Sequence, residues 1–79
     1  MAALGSAVEA ADGPRVRDLA HALKGSSANL GAKAFARAAG LMEAAAEEGS
    51  GREVLQTLLT QLDDEAQRVR EAARAELGT

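Results

Sequence analysis

The chain has 79 residues, and with Phe35 as its one aromatic it can bury only a modest core, leaving no room for an enclosed catalytic cavity. It holds no cysteine and a single histidine, which excludes disulfides, thiolate nucleophiles and cysteine-ligated metals and leaves no paired-histidine zinc site. A net charge of -3, with the acidic residues concentrated in the second half, argues against nucleic acid as the main partner. Met1 to Val8 has neither a basic segment nor a long apolar run, so it does not read as a signal peptide. No stretch approaches the roughly 20 apolar residues that span a bilayer. The expectation is a soluble cytoplasmic protein with no membrane partner, whose chemistry sits on the surface or is completed by a partner.

No segment alternates with period two and Pro14 is the only proline, so every segment reads as helix. A short first helix runs from about Ala3 to Ala11, with Leu4 and Val8 as its only sizeable apolar residues, and residues 1–12 comprise this helix and its turn. At Asp12-Gly13-Pro14 either Asp12 or Gly13 can cap, and Pro14 suits a first helical turn. The second helix occupies residues 14–31, with Gly31 suited to its C-terminal cap and Asn29 able to help end it or cap the next. The third, residues 32–48, carries Phe35, Ala38, Leu41, Met42 and Ala45 as an apolar stripe; its acidic run Glu43, Glu47 and Glu48 reads as a solvated face. After Gly49-Ser50-Gly51, a long fourth helix covers residues 52–77. Val54, Leu55, Leu58, Leu59, Leu62, Ala66, Val69 and Ala73 recur along it at three- and four-residue steps.

Such stripes can be buried only against other helices. The expected fold is an all-α, up-and-down antiparallel bundle forming a single domain over residues 1–79. It has three main helices and a short N-terminal one, and either that stub, upstream sequence or a second copy of the chain completes it.

The second helix carries the chemistry. At 100° per residue, Val16, Leu19, Ala20, Leu23, Ser27 and Leu30 share a sector about 100° wide, which is the core face. His21 lies roughly 150° from the centre of that sector and faces solvent. Beyond it the outer face bears only Gly25, Ala28 and, if the helix continues, Ala32, with Arg17 and Lys24 alongside. Gly25 in a helix interior costs about 1 kcal/mol relative to alanine, and it removes the side chain that would stand beside the imidazole. Another macromolecule can then approach a histidine nitrogen that is largely neutral near pH 7. Lys24 can attract the oxygens of a phosphoryl group held there. Gly25-Ser26-Ser27 lacks the glycine and lysine spacing of a phosphate-cradling loop, and there is no evident magnesium cluster. The plainer readings are a surface histidine with solvated Arg17 and Lys24, or a small-residue stripe of Gly25, Ala28 and Ala32 that packs on a partner helix. Burial of His21 in a helix interface would favour the latter.

The stretch His21-Ala22-Leu23-Lys24-Gly25-Ser26-Ser27-Ala28-Asn29-Leu30-Gly31-Ala32 closely resembles the signature of the histidine-containing phosphotransfer (HPt) family of phosphorelays. Arg17-Asp18-Leu19-Ala20 resembles the usual approach to it, and Leu41, Glu43, Ala46 and Gly49 resemble the family's next helix. The resemblance implies that His21 accepts a phosphoryl group from a response-regulator receiver aspartate and passes it to another. Lys24 would steady the phosphohistidine, and Gly25 would give the receiver room. It implies a phosphocarrier rather than an enzyme, with no intrinsic cofactor and with Mg2+ on the partner receiver. A chemotaxis-type histidine kinase system, phosphorylating the histidine in trans, and a non-catalytic helical dimerisation or adaptor module are the alternatives. HPt domains usually have more helix ahead of the histidine helix, which leaves the closure of this bundle open.

Overall fold

A computed structural model describes residues 2–29 and 32–77. Over these it forms four helices: α1 (Ala2–Glu9), α2 (Gly13–Asn29), α3 (Lys33–Glu47) and α4 (Arg52–Leu77). Leu30 and Gly31, expected as a core residue and a helix cap, lie outside the described residues.

The breaks follow from local chemistry. α1 stops at Glu9, short of Ala11, because the Ala11 N–H turns back to the Val8 carbonyl and that of Asp12 to Ala7. This pair of bonds requires a left-handed residue at Ala11, whose φ is 54°. Asp12 then begins α2: its carboxylate accepts from the Arg15 N–H at 3.3 Å, so Asp12 is the cap and Gly13 the first helical residue. α3 ends by the same device as α1. The Gly49 N–H donates to the Ala46 carbonyl and the Ser50 N–H to Ala45, with Gly49 at φ 77°, a conformation glycine adopts without penalty. Ala32, expected as the first residue of the third helix, is instead non-helical and makes no side-chain cap; α2 has already ended at Asn29. Ala32 therefore does not extend the strip beyond His21.

Neighbouring helices pack as a ring, α1 on α2, α2 on α3, α3 on α4 and α4 on α1, with α2 and α4 diagonal to one another. Met42, Leu55, Leu62, Val8 and Val16 are the largest fully buried side chains. The stub thus takes part in the core: Leu4, Ala7 and Val8 are all buried. At the far end of the expected α4 stripe Val69 and Ala73 are exposed, and so are two expected core residues nearer the middle of the bundle, Leu41 at 52% and Val54 at 49%. The latter two each sit about 100° around their helix from the buried centre, which is Met42 on α3 and Leu55 on α4, while Ala39 and Ala46 take the places closer to it on α3.

α1 is much shorter than its neighbours, at about 12 Å against about 39 Å for α4 from a 1.5 Å rise per residue. The molecule accordingly extends 44 Å in one direction and 20 and 16 Å in the others. Past α1, among the described residues, the lane between α2 and α4 is a groove lined by Ser27, Ala32, Phe35, Asp63, Ala66, Val69 and Arg70. Among the described residues no helix is long and apolar enough to cross a membrane.

Candidate functional site

α2 turns Val16, Ala20 and Ser27 into the core and tucks Leu19 and Leu23 partly against it. This fixes the rotation of the helix and leaves the His21 side chain 69% exposed near its middle. Gly25, one turn on, faces open space: a Cβ built there meets nothing within 4 Å. Ala28 is also exposed. Within the chain, then, Gly25 serves no close helix packing, and its helix-breaking cost brings no contact in return.

The next helix supplies a residue that the sequence pattern placed elsewhere. Glu43, expected on a solvated face with Glu47 and Glu48, is only 15% exposed at its side chain and lies between the two basic groups of α2. Its Oε2 is 2.8 Å from His21 Nδ1 and its Oε1 2.9 Å from Lys24 Nζ. Side-chain phase explains the misplacement. Glu43 sits at the edge of the α3 core stripe, next to Met42, and an edge position becomes buried or solvated according to which helix lies beside it. Here that helix is α2.

Gly40 is a second α3 residue beside the cluster. A Cβ built on it would lie 3.4 Å from Lys24 Cδ, an ordinary contact distance, so the lysine stem passes beside α3 at that point on its way to Glu43. Its only trace in the sequence is a glycine inside a helix with no turn to make. Arg17, by contrast, is turned away: it donates to Asp18 Oδ1 through Nε at 3.2 Å and an Nη at 3.0 Å, a local exposed pair.

The electrostatics of the cluster assign proton positions. The Glu43 carboxyl is held below the usual carboxylate range, chiefly by the hydrogen bond from Lys24; partial desolvation opposes this, and the His21 hydrogen bond and the nearby positive charges add to it. Glu43 is therefore ionised at neutral pH and can only accept hydrogen bonds. In a neutral imidazole the proton must then reside on Nδ1, donated to Glu43, which leaves the Nε2 lone pair facing solvent. The site thus presents an oriented nucleophilic nitrogen, a cation within reach and open space beside both. Among the described residues no group of three histidine, cysteine or acidic side chains is placed to hold a metal ion.

The family model described as the Hpt domain matches residues 1–72 of the chain. The chain belongs to the Hpt domain family. Members of this family are non-enzymatic phosphocarriers in phosphorelay signalling that interact with receiver domains and kinases, and the all-α bundle of about four helices is their architecture. No curated protein and no solved structure matches the chain.

Proposed function

We propose that this Hpt domain is a phosphorelay intermediate in which His21 Nε2 takes a phosphoryl group from a receiver aspartyl phosphate and returns it to the aspartate of another receiver. The observation that carries this reading is the hydrogen bond between His21 Nδ1 and Glu43, which turns the opposite ring nitrogen outward beside an unobstructed Gly25. In the forward step the Nε2 lone pair attacks phosphorus, an N–P bond forms, and the P–O bond breaks to release the receiver's carboxylate. The Nδ1 proton stays in place, and the positive charge that develops on the ring is balanced by Glu43. The return step reverses each change.

Lys24 is parked on Glu43 before transfer. Once the ring carries a phosphoryl group, the ammonium has a second anion within reach of the same flexible stem, and it can share its charge between the two. The in-line geometry and the divalent ion, Mg2+, belong to the receiver, which would lay its active-site face on the exposed side of α2. The compartment consistent with such partners is the cytoplasm.

The test is incubation with a phosphorylated receiver domain, followed by detection of acid-labile, alkali-stable phosphate on this chain. Wild type is expected to acquire label and His21→Gln none, with both proteins equally helical. Equal labelling of the two, or no labelling of wild type by a panel of receivers, overturns the reading. Lys24→Ala is expected to keep transfer but to slow it or shorten the phosphohistidine lifetime.

A further inference from the structure

The groove past α1 has apolar walls and a charged rim, and the rim says what fits it. Its floor is Phe35, with Ala32 and Ser27 on one side and Ala66 and Val69 of α4 on the other; Val69 is 42% exposed. The apolar stripe of α4 thus continues through Ala66 and Val69 past the reach of α1. Asp63 and Arg70 line the same wall. They are seven residues apart, two helical turns, and so stand on one flank of that stripe. Among the described residues neither enters an ion pair within the chain; the pairs found are Arg17–Asp18, His21–Glu43, Lys24–Glu43 and Arg68–Glu65.

We propose that this groove is a self-association surface, in which the α4 helices of two copies pack antiparallel about a two-fold axis near Ala66, each filling the lane left open in the other. The charge order along α4 selects this occupant. In an antiparallel pair centred between Asp63 and Arg70, Asp63 of one copy faces Arg70 of the second, and the symmetry repeats the contact in reverse. A parallel pair would set each charge against its like. The small side chain of Ala66 at the crossing lets the two backbones approach, and Val69 of each copy is carried toward the exposed edge of Phe35 in the other. Ser27, on the groove, and His21 are about 120° apart around α2, so pairing leaves both phosphoryl acceptors open to receivers.

Sedimentation velocity over a range of concentrations tests the proposal. Wild type is expected to pass from monomer to dimer as concentration rises. Arg70→Asp and Asp63→Arg each place like charges at both contacts, and each is expected to weaken dimerisation by about tenfold or more. An equimolar mixture of the two variants restores opposite charges at both contacts and is expected to form a heterodimer where neither forms a homodimer. Both positions are exposed, and equal far-UV helicity of the variants and wild type checks that folding is intact. A wild type that stays monomeric throughout overturns the proposal and leaves the groove to a helix of another protein. Single variants that dimerise like wild type, or a mixture that does not associate, also overturn it. Labelling of His21 by a receiver is read separately, so loss of phosphotransfer and loss of dimer are distinguishable.

Discussion

Met42 and Glu43 are consecutive on α3, yet they belong to regions ruled by different physics. Met42 is fully buried with Val8, Val16, Leu55 and Leu62, where size and shape decide stability. Glu43 faces the adjacent rim of α2, where what matters is charge, the orientation of one ring and the absence of bulk at Gly25. A small domain can keep the two apart because one helix boundary, a single residue wide, divides the core seam from the site. Substitutions on the two sides of that boundary should therefore separate stability from phosphotransfer.

The largest effect is expected on the core side. Met42→Ala removes the largest fully buried side chain and should cost about 2–5 kcal/mol of unfolding free energy in urea titrations, much of what a domain of this size possesses. Phosphotransfer measured per folded molecule should stay near wild type. A large loss of transfer in the folded fraction would show that core and site are not independent.

Gly25→Leu should do the opposite on both counts. A Cβ there meets nothing, and leucine is the better helix former, so stability should rise by up to about 1 kcal/mol. Transfer from a receiver should fall by roughly tenfold or more as the added bulk holds the donor away from Nε2. Unchanged kinetics would remove the steric role of Gly25.

Glu43→Gln sharpens the comparison through pH. Because the folded-state value of Glu43 is lowered, its pairing contributes stability that is fully present above the unfolded glutamate value of about 4.3. That contribution is lost as pH falls through the lowered folded value. Thermal melts should show wild type losing its advantage over Glu43→Gln across that acidic window and not near neutrality. At neutral pH the variant should transfer more slowly, since the amide no longer holds Nδ1–H as an ion does. NMR of the imidazole nitrogens should show the Nδ1-protonated tautomer depleted, a change that a purely structural role would not produce.

The smallest effect lies outside both regions. Ala11 holds a left-handed conformation at φ 54° between α1 and α2, and Ala11→Gly should relieve it. The strain of about 1–2 kcal/mol, less the greater entropy lost by glycine on folding, gives a net stabilisation of about 0.5–1 kcal/mol. This is readable as a raised urea midpoint at unchanged slope, with no effect on transfer.

Much of the fold was legible along the chain because helix signals are local. Apolar recurrence marked α4 from Val54 to Ala73, Asp12-Gly13-Pro14 and Gly49-Ser50-Gly51 marked breaks in the chain, and the phase of Val16, Leu19, Ala20, Leu23 and Ser27 was enough to turn His21 outward. Errors fell at the far end of the α4 stripe, where Val69 and Ala73 are exposed, and at the edges of stripes. Leu41 and Val54 are apolar but about 100° off centre, and Glu43 is acidic but shielded, since an edge position is decided by its neighbour rather than by its own helix.

The sequence by itself determined an all-helical chain with a lone histidine on an open face beside a lysine and a glycine. Each of those properties is set within a turn or two of helix. Only the tertiary structure decided that Glu43 joins His21 and Lys24 from α3, that the lysine stem passes beside Gly40, and that α1 closes one end of the ring. These depend on the rotation and offset of one helix against the next, which arise when several stripes are buried at once.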